Sequence, residues 1–294
     1  MTILMLLAVA STRAQSLEPR FYSNAPVGMN FVLGGYAFST GAVAVDPSVE
    51  LENGNLDLHA PFVAYAHSMG LRGKSAKFDM VLPYTFLSGS ATQAGVYKTR
   101  HVDGIADPLF RFSINFIGAP ALTMKQFQDY KQDFVMGASL KVTAPLGQYD
   151  SSKLVNIGTH RWSFTPEVGL SKTIGPVLLE LAGAVSFYTD NNDFLGQKKE
   201  QEPICSLQMH VVYAFRNGMW MALGGTRYTG GRTTVGGVEK SDLQQNSRLG
   251  ATLALPVGKR NSVKLYASTG VATRTGSDFD TIGIAWQYRW GGGL

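Results

Sequence analysis

Three features common in proteins of this length are scarce in the chain. Cysteine occurs once in 294 residues, at Cys205, which excludes an internal disulfide framework and a multi-cysteine metal site. Charged residues make up 16% of the sequence, below the roughly 25% of soluble domains. After residue 15, no uncharged apolar run approaches the ~20 residues that a membrane-spanning helix requires. If such a chain crosses a membrane, it must cross as a closed β-barrel.

Clustered basic charge is also absent, although the net charge is +5. The 26 Lys and Arg residues are spread singly, without the basic patch that nucleic-acid binding requires. The acidic loop 190–193 lacks the Gly and Glu spacing of an EF-hand, and the glycine-rich loop 229–237 lacks a Gly-Lys-Ser/Thr phosphate signature. We therefore expect no nucleic-acid partner, no metal and no cofactor.

A nucleophile signature is missing as well. The five histidines are not accompanied by a Gly-x-Ser-x-Gly motif. His101 and His160 fall in predicted long loops, and Asp103 follows His101 by two residues. A membrane-embedded hydrolase stays a minor alternative, and the sequence predicts a protein that is not an enzyme and has no catalytic residues.

The N-terminus has an apolar run over residues 3–10 and a small-x-small site before Gln15, but no Lys or Arg precedes the run. This pattern predicts a signal peptide over residues 1–14, with a buried first strand as the alternative. Residues 15–28 form an N-terminal segment, and 29–294 form the main domain. The segment is too short for a folded plug domain, which argues against an energy-coupled receptor, but it can fold into a lumen and gate it.

The rest of the chain contains alternating segments of roughly 10–13 residues, close to the ~9–11 that cross a bilayer at a tilt. Alternation of period two indicates a strand whose side chains point to opposite faces. The twelve predicted strands are 29–39, 55–67, 76–87, 108–117, 134–144, 161–173, 177–189, 204–216, 219–229, 246–256, 262–273 and 280–290.

The connections between these strands separate a membrane barrel from a soluble sandwich. Long polar links follow the first, third, fifth, seventh and ninth strands, whereas tight turns such as Asn217-Gly218 follow the second, sixth, eighth and tenth. This sorting places the long loops at one end, as in outer-membrane barrels with short periplasmic turns. The sequence thus predicts an all-β, transmembrane antiparallel barrel of about twelve strands in the bacterial outer membrane.

One link departs from this pattern. The connection after the fourth strand runs over 118–133, and Thr123 and Gln126 have the spacing of a capping box. Phe127 and Tyr130 follow at helical intervals. We predict a short periplasmic helix near 123–132, which either caps the barrel rim or docks a partner.

The apolar face of each strand is predicted to face lipid, because Arg or Lys at the midplane of a bilayer costs about 2–4 kcal/mol. Charged residues of the opposite faces are then predicted to line the lumen, as a salt-bridge ladder or as a possible substrate path for polar or anionic solutes. These residues are Asp79, Arg111, Lys141, Arg161, Glu167, Glu180, Arg216, Arg248, Lys264 and Arg289.

The last strand has the most regular alternation. Its apolar face ends in Trp286, Tyr288 and Trp290, which we predict to form an aromatic girdle at the periplasmic side of the membrane. Arg289 lies on the opposite face and becomes a residue of the lumen mouth.

Seven stretches of the chain are similar to those of a known family. They are DPLFRFSINFIGAPAL at 107–122, KVTAPLGQYD at 141–150, GTHRWSFTPEVGLS at 158–171, FYTDNNDF at 187–194, YTGGRTTVGG at 228–237, LQQNSRLGATLALP at 243–256 and KLYASTGVATRTGSDFDTIGIAWQYRW at 264–290. Together they resemble the outer-membrane transporters grouped as the "MetA-pathway of phenol degradation" family, and the resemblance covers nearly the whole chain after the signal peptide. It implies an outer-membrane β-barrel that takes up phenolic or other aromatic compounds, and it implies no catalytic or binding residues. The chain departs from the usual pattern by ending in Gly291-Gly292-Gly293-Leu294, which displaces the aromatic assembly signal to Trp290.

The predicted function is passive uptake of small, phenol-like aromatic compounds through a narrow, porin-like channel. The alternative is a structural or adhesive barrel with a blocked lumen. The expected partners are the lipid bilayer and lipopolysaccharide, the barrel-assembly machinery and a small-molecule solute.

Overall fold

The alternating segments of the sequence close into a twelve-stranded antiparallel barrel. The computed structural model of the protein describes residues 18–41, 48, 52–93, 95–275 and 278–294. The predicted signal peptide, 1–14, lies outside the described residues. Thirteen backbone pairs between the first and last strands, from Met29↔Gly291 to Gly41↔Phe279, join the two edges of the sheet.

Each of the twelve predicted strands is a strand of the barrel wall. Several extend a few residues beyond the predicted bounds. Two of them, β2 (Glu52–Leu71) and β3 (Lys74–Gln93), are much longer than predicted, because they form a hairpin of 20 residues in each arm. The barrel strands are β1 (Met29–Gly41), β2 (Glu52–Leu71), β3 (Lys74–Gln93), β5 (Leu109–Ile117), β6 (Phe134–Thr143), β7 (Ser163–Ile174), β8 (Val177–Tyr188), β11 (Ile204–Ala214), β12 (Trp220–Gly230), β15 (Gln244–Val257), β16 (Asn261–Ala272) and β17 (Phe279–Gly291).

The barrel has the polarity expected of a protein surrounded by lipid. In β8, Leu179 and Leu181 are exposed on the outside, whereas Glu180 between them points inward. In β5, Phe112 is exposed and its neighbour Arg111 is buried. A water-soluble barrel would show the reverse arrangement, and the predicted faces of these two strands are confirmed.

The two ends of the barrel differ, as the connections predicted. Residues 72–73, 175–176, 215–219 and 258–260 make short turns at what we call the turn end. Gly218 adopts φ 84°, in the left-handed region that a tight hairpin turn requires. The described parts of the longer connections lie at the opposite end, the loop end, except for the link 118–133, which lies at the turn end.

Within the described parts of the chain, five strands lie outside the barrel wall and were not predicted. They fall within links that sequence alternation assigned to loops. One extends the long hairpin by pairing with β3, and the other four form a separate small sheet at the loop end. They are β4 (Val96–Ile105), β9 (Asn191–Phe194), β10 (Gln197–Gln201), β13 (Thr233–Val235) and β14 (Val238–Glu239).

The predicted helix is present but shorter than expected. The helix α1 (Met124–Phe127) has the predicted capping box between Thr123 and Gln126. Its predicted extension to residue 132 is wrong, because the chain turns back to the barrel rim. The Tyr130 hydroxyl donates to the Gly118 carbonyl at 2.6 Å, and Gln132 accepts from a backbone N–H of the N-terminal segment at 3.0 Å. Among the described residues, no helix is long and apolar enough to cross a membrane.

Candidate functional site: the barrel lumen

Nine of the ten predicted lumen residues point into the barrel or line its mouths. These residues lie at different depths along the barrel axis. Asp79, Arg111 and Lys264 are buried within the barrel, whereas Arg161 and Arg289 lie near its two ends. Arg289 donates to the Lys259 carbonyl at 2.6 Å, which places it at the mouth of the turn end as predicted. The nine predicted residues that face inward are Asp79, Arg111, Lys141, Arg161, Glu167, Glu180, Arg248, Lys264 and Arg289.

Arg216 is the exception, and its predicted place in the lumen is wrong. The strand β11 ends at Ala214, two residues earlier than the alternation suggested. Arg216 therefore lies in the turn before β12, where its side chain is exposed.

Sequence reasoning missed two inward-facing ionisable residues. Lys77 is buried on the same face of β3 as Asp79, two residues away, and this spacing could have identified it. His210 is buried opposite Glu180 in the register of β11 and β8, with its Nδ1 3.9 Å from the carboxylate. That partner could not be read from local spacing, because it lies on another strand.

The N-terminal segment runs through the lumen. Glu18, Phe21 and Tyr22 are all buried inside the barrel. Arg20 adopts φ 67°, and the Ser23 N–H donates to its carbonyl at 3.1 Å, so the chain makes a tight turn there. Residues 18–28, which we call the luminal segment, thus occupy the interior between the middle of the barrel and the start of β1.

Wall side chains bind several polar groups of the luminal segment. Arg111 pairs with Glu18 through Nη1 and with Asp79 through Nε at 3.1 Å. The Tyr22 hydroxyl donates to Glu167 at 2.9 Å, and the Arg20 N–H donates to Glu180 at 2.6 Å. The charged wall and the segment are therefore one hydrogen-bonded unit.

The wall also leaves space for the ring of Tyr22. Gly137 on β6 and Gly169 on β7 face inward, and a Cβ atom at either position would overlap the tyrosine ring. The Asn115 side chain donates to the Tyr22 carbonyl at 3.1 Å. Two glycines on adjacent strands thus form a depression that fits this aromatic side chain.

The luminal segment is anchored to the rim of the turn end. The Val27 N–H donates to the Leu122 carbonyl at 2.8 Å, and the Gly28 N–H donates to the Ser68 carbonyl at 2.8 Å. The side chain of Asn24 donates to the Pro120 carbonyl at 3.1 Å. The link 118–133 therefore holds the base of the segment, consistent with a cap at the barrel rim.

The ionisation of the segment follows from its surroundings. Burial alone would raise the pKa of Glu18, but the charges of Arg111 and Lys141 bring the pKa below its usual value. Burial lowers the pKa of Arg20 to about 10, with Glu180 opposing that shift. Burial and the nearby Glu167 raise the pKa of the Tyr22 hydroxyl. At neutral pH, Glu18 and Arg20 are charged and Tyr22 is a neutral donor.

A second wall of the lumen is apolar. The inward faces of β1 and β2 carry only apolar side chains or glycine over most of their length, flanked by Ser39 and Ser68. The lumen therefore has an apolar wall, on β1 and β2, and a charged wall, formed by the inward-facing charged residues of the remaining barrel strands. The apolar wall consists of Met29, Phe31, Leu33, Gly35, Ala37, Leu56, Leu58, Ala60, Phe62, Ala64 and Ala66.

The predicted aromatic girdle residues lie on the outer face of β17 near the turn end. Tyr288 stacks between the other two rings, with centroid distances of 6.3 Å to Trp286 and 5.8 Å to Trp290. The indole N–H of Trp286 donates to Asn261 at 3.1 Å. This is the geometry required of a girdle, and its depth in a membrane stays a prediction.

The loop histidines lie in ordinary structural surroundings. His160 stacks on Tyr149 at 4.7 Å and shares a 3.2 Å hydrogen bond with Asn191. His101 is exposed on β4, and Asp103, two residues later, accepts a hydrogen bond from Tyr84 at 2.6 Å.

Comparisons with known proteins agree with this architecture. The chain matches a crystallised outer membrane channel from Pseudomonas putida F1 with a TM-score of 0.79 and 19% identity, over 94% of this chain and 100% of that one. It also matches the β domain of the Bordetella autotransporter BrkA, with a TM-score of 0.52 and 9% identity, over 89% and 99% of the two chains. At these identities the likeness establishes the barrel fold. A sequence search of curated proteins finds no match.

The family assignment covers most of the barrel. Residues 37–288, from within β1 to within β17, match the family described as "Putative MetA-pathway of phenol degradation". This range includes all of β2 and eight of the nine inward-facing charged residues named above, whereas the start of β1 and Arg289 lie outside it. The chain belongs to this family, as the sequence resemblance implied.

Proposed function

We propose that the protein is a narrow outer-membrane channel for passive uptake of small solutes that carry both an apolar and a polar part. The observation that carries this proposal is the two-sided lumen, with a charged wall facing an apolar wall inside a closed barrel. A phenol-like compound matches this pattern, since its ring suits the apolar wall and its polar group suits the charged one. The family's association with phenol degradation supports the same substrate class.

The orientation follows from the two ends. The turn end, which contains the start of β1 and the end of β17, faces the periplasm. The loop end faces the outside, as is usual for outer-membrane barrels. Outward-facing apolar side chains contact lipid, and Trp286, Tyr288 and Trp290 form the periplasmic girdle. We further propose that the protein has no catalytic activity.

The luminal segment is the proposed gate. A barrel of this size lies between eight-stranded barrels filled by side chains and sixteen-stranded water-filled porins. A segment bonded to Arg111, Glu167 and Glu180 therefore obstructs much of its cross-section. Solute passage requires the segment to shift, and its anchored base at Gly28 allows the N-terminal part to move while the base stays in place.

Single-channel conductance in planar bilayers, with uptake of phenol into liposomes, tests the channel. We expect small, infrequent openings from the intact protein. We expect larger or more frequent openings from Tyr22→Ala, which removes the ring over Gly137 and Gly169 and the hydrogen bond to Glu167. Tyr97→Ala is the matched control, because Tyr97 is exposed on β4.

A blocked barrel with a structural or adhesive role is the second candidate, and the occupied lumen is the observation that favours it. The small sheet of β9, β10, β13 and β14 gives the loop end an ordered surface for such a role. Absence of conductance and of phenol uptake in both the intact protein and Tyr22→Ala would reject the channel and leave this candidate. Each sample must first be shown to contain folded barrel, by a difference in gel migration between boiled and unboiled protein.

A further inference from the structure

We propose that Glu18 and Phe21 occupy a binding site for small aromatic carboxylates in the barrel wall, and that such a solute displaces them as it enters. The luminal segment would then be a tethered mimic of the solute. This inference rests on the proposed channel function and names the class of solute that the site accepts.

Arg111 is the centre of the site. Its Nη1 binds the Glu18 carboxylate, and the Phe21 ring lies with its centroid 3.7 Å from the guanidinium carbon. One guanidinium therefore holds a carboxylate and an aromatic face together, which are the two groups of an aromatic acid. Asp79 holds Nε at 3.1 Å and fixes the orientation of the guanidinium.

A second cation contacts the same aromatic group. The ammonium of Lys77 lies 4.5 Å from the centroid of the Phe21 ring and donates to the Phe21 carbonyl. Both Lys77 and Arg111 are buried. A ring at this position is thus surrounded by two cations, an environment that favours an aromatic group over an aliphatic one.

The charge around Glu18 calls for an anion. Arg111, Lys141 and Lys264 all act electrostatically on its carboxylate. Lys264 is 2% exposed, so its charge is buried as well. Without the segment, buried positive charge would lack its counterion, which is costly in a site of low polarity.

The lumen around this site has a positive excess of one charge, since four basic side chains face three acidic ones. Because Glu18 and Arg20 have opposite charges and depart together, the excess is the same with and without the segment. A carboxylate from the solute would take the place of Glu18 beside these cations and neutralise the excess. The basic residues are Lys77, Arg111, Lys141 and Lys264, and the acidic ones are Asp79, Glu167 and Glu180.

Apolar side chains adjoin the guanidinium. Val81 and Leu109 are register partners on β3 and β5, each two residues beyond Asp79 or Arg111 on the inward face. Val81 is buried in the apolar cluster that includes Phe62, and Leu109 packs against that cluster. The site therefore lies where the charged wall meets the apolar wall, and a solute with a ring and a carboxylate can contact both.

Calorimetric titration of the full-length, detergent-folded protein at pH 7 tests the site. The probe is 3-phenylpropionate, compared with propionate, which lacks the ring, and with 3-phenylpropan-1-ol, which lacks the carboxylate. The double variant Glu18→Gln/Phe21→Ala removes the tethered mimic. In the intact protein the luminal segment is the competitor, and a competitor that fills nine-tenths of the sites weakens apparent binding about tenfold. We therefore expect the variant to bind 3-phenylpropionate at least about tenfold more tightly than the intact protein.

We expect both comparison compounds to bind the double variant at least about tenfold more weakly than 3-phenylpropionate. Glu239→Gln is the matched control, because Glu239 is exposed and pairs with Arg232 at the loop end, and its affinity should equal that of the intact protein. Heat-modifiable migration on a gel must show that the variant protein is folded. If folded variant protein shows no gain in affinity, or binds the acid and the alcohol equally, the proposed site is wrong. Conductance of the same samples reports on the channel separately. A barrel that conducts without binding the acid refutes only the site, and one that binds without conducting refutes only the channel.

Discussion

The two walls of the lumen solve the problem of a closed interior in different ways. The apolar wall packs chiefly within itself and against the wall residues Val81 and Ala285, and it contacts the luminal segment only through Ala25, close to the anchored base, among the residues of this cluster. The charged wall is completed by another part of the chain. Arg111, Glu167 and Glu180 each bond to the luminal segment. The charged wall is therefore the one whose state depends on whether the segment is in place.

The largest expected effect comes from breaking the charged wall. Arg111→Met leaves Glu18 and Asp79 buried without their partner, and removing one member of a buried ion pair costs about 3–5 kcal/mol. We expect the free energy of unfolding to fall by that amount in a urea titration followed by gel migration. Arg216→Met is the control and should change it by less than about 0.5 kcal/mol, because Arg216 is exposed in a turn. Equal losses for the two variants would contradict the role given to Arg111.

A slightly smaller effect is expected from the apolar wall. Leu33 is 1% exposed, and Leu33→Ala removes buried contacts and leaves a cavity at a cost of about 2–5 kcal/mol. The control is Leu223→Ala on the outer face, where Leu223 is 61% exposed and lipid tails, which are as apolar as leucine, fill the space. We expect Leu33→Ala to lower the free energy of unfolding in liposomes by more than Leu223→Ala does. The opposite order would place the apolar side chains of β1 toward lipid.

The strands could be predicted from the sequence, but the walls only in part. In β5 and β8 the alternation gives each strand one charged and one apolar face. Because lipid favours apolar side chains, the apolar face can be assigned to the outside and the charged face to the lumen. In β1 both faces are largely apolar, and in β2 the inward face is the more apolar one. The rule that the more apolar side faces lipid fails there, because the lumen itself contains an apolar wall.

The position of the luminal segment could not be predicted in detail. Glu18 lies 93 residues from Arg111 in sequence, and Arg20 lies 160 residues from Glu180. No local pattern encodes such contacts. A weak signal was available at Gly137 and Gly169, two inward-facing glycines on neighbouring strands, since small residues at a sheet interior mark a close approach by another group.

A third expected effect concerns the fit between segment and wall. Gly169→Ala places a methyl group where the Tyr22 ring lies, and overpacking of this kind costs about 1–3 kcal/mol. We expect the ring to be displaced and single-channel openings to become more frequent. The control is Gly183→Ala on the outer face of β8, where an added Cβ meets nothing closer than 4.0 Å. If Gly169→Ala and Gly183→Ala conduct alike, the ring of Tyr22 does not control the opening.

The smallest expected effect is a dependence on pH that only the charged wall can show. The pKa of Glu18 is held below its usual value of 4.5, because the neighbouring cations outweigh the effect of burial. A lowered pKa means that the ionised carboxylate stabilises the closed state fully above pH 4.5. This contribution is lost as the pH falls through the lowered pKa, and it is worth about 1.5 kcal/mol for a hydrogen bond to a charged group.

The contribution of Glu18 to the opening frequency should therefore be flat above pH 4.5 and change only at lower pH, where loss of its charge makes openings more frequent. Other luminal carboxylates also titrate, so the measurement is the difference between the intact protein and Glu18→Gln across the same pH series. Glu18→Gln cannot lose a charge at residue 18, and we expect the two proteins to differ at neutral pH and to converge in acid. A constant difference at all pH values would mean that the charge of Glu18 does not hold the segment in the lumen. The segment would then be retained by Tyr22 and its glycine depression, and the charged wall would be as independent of pH as the apolar one.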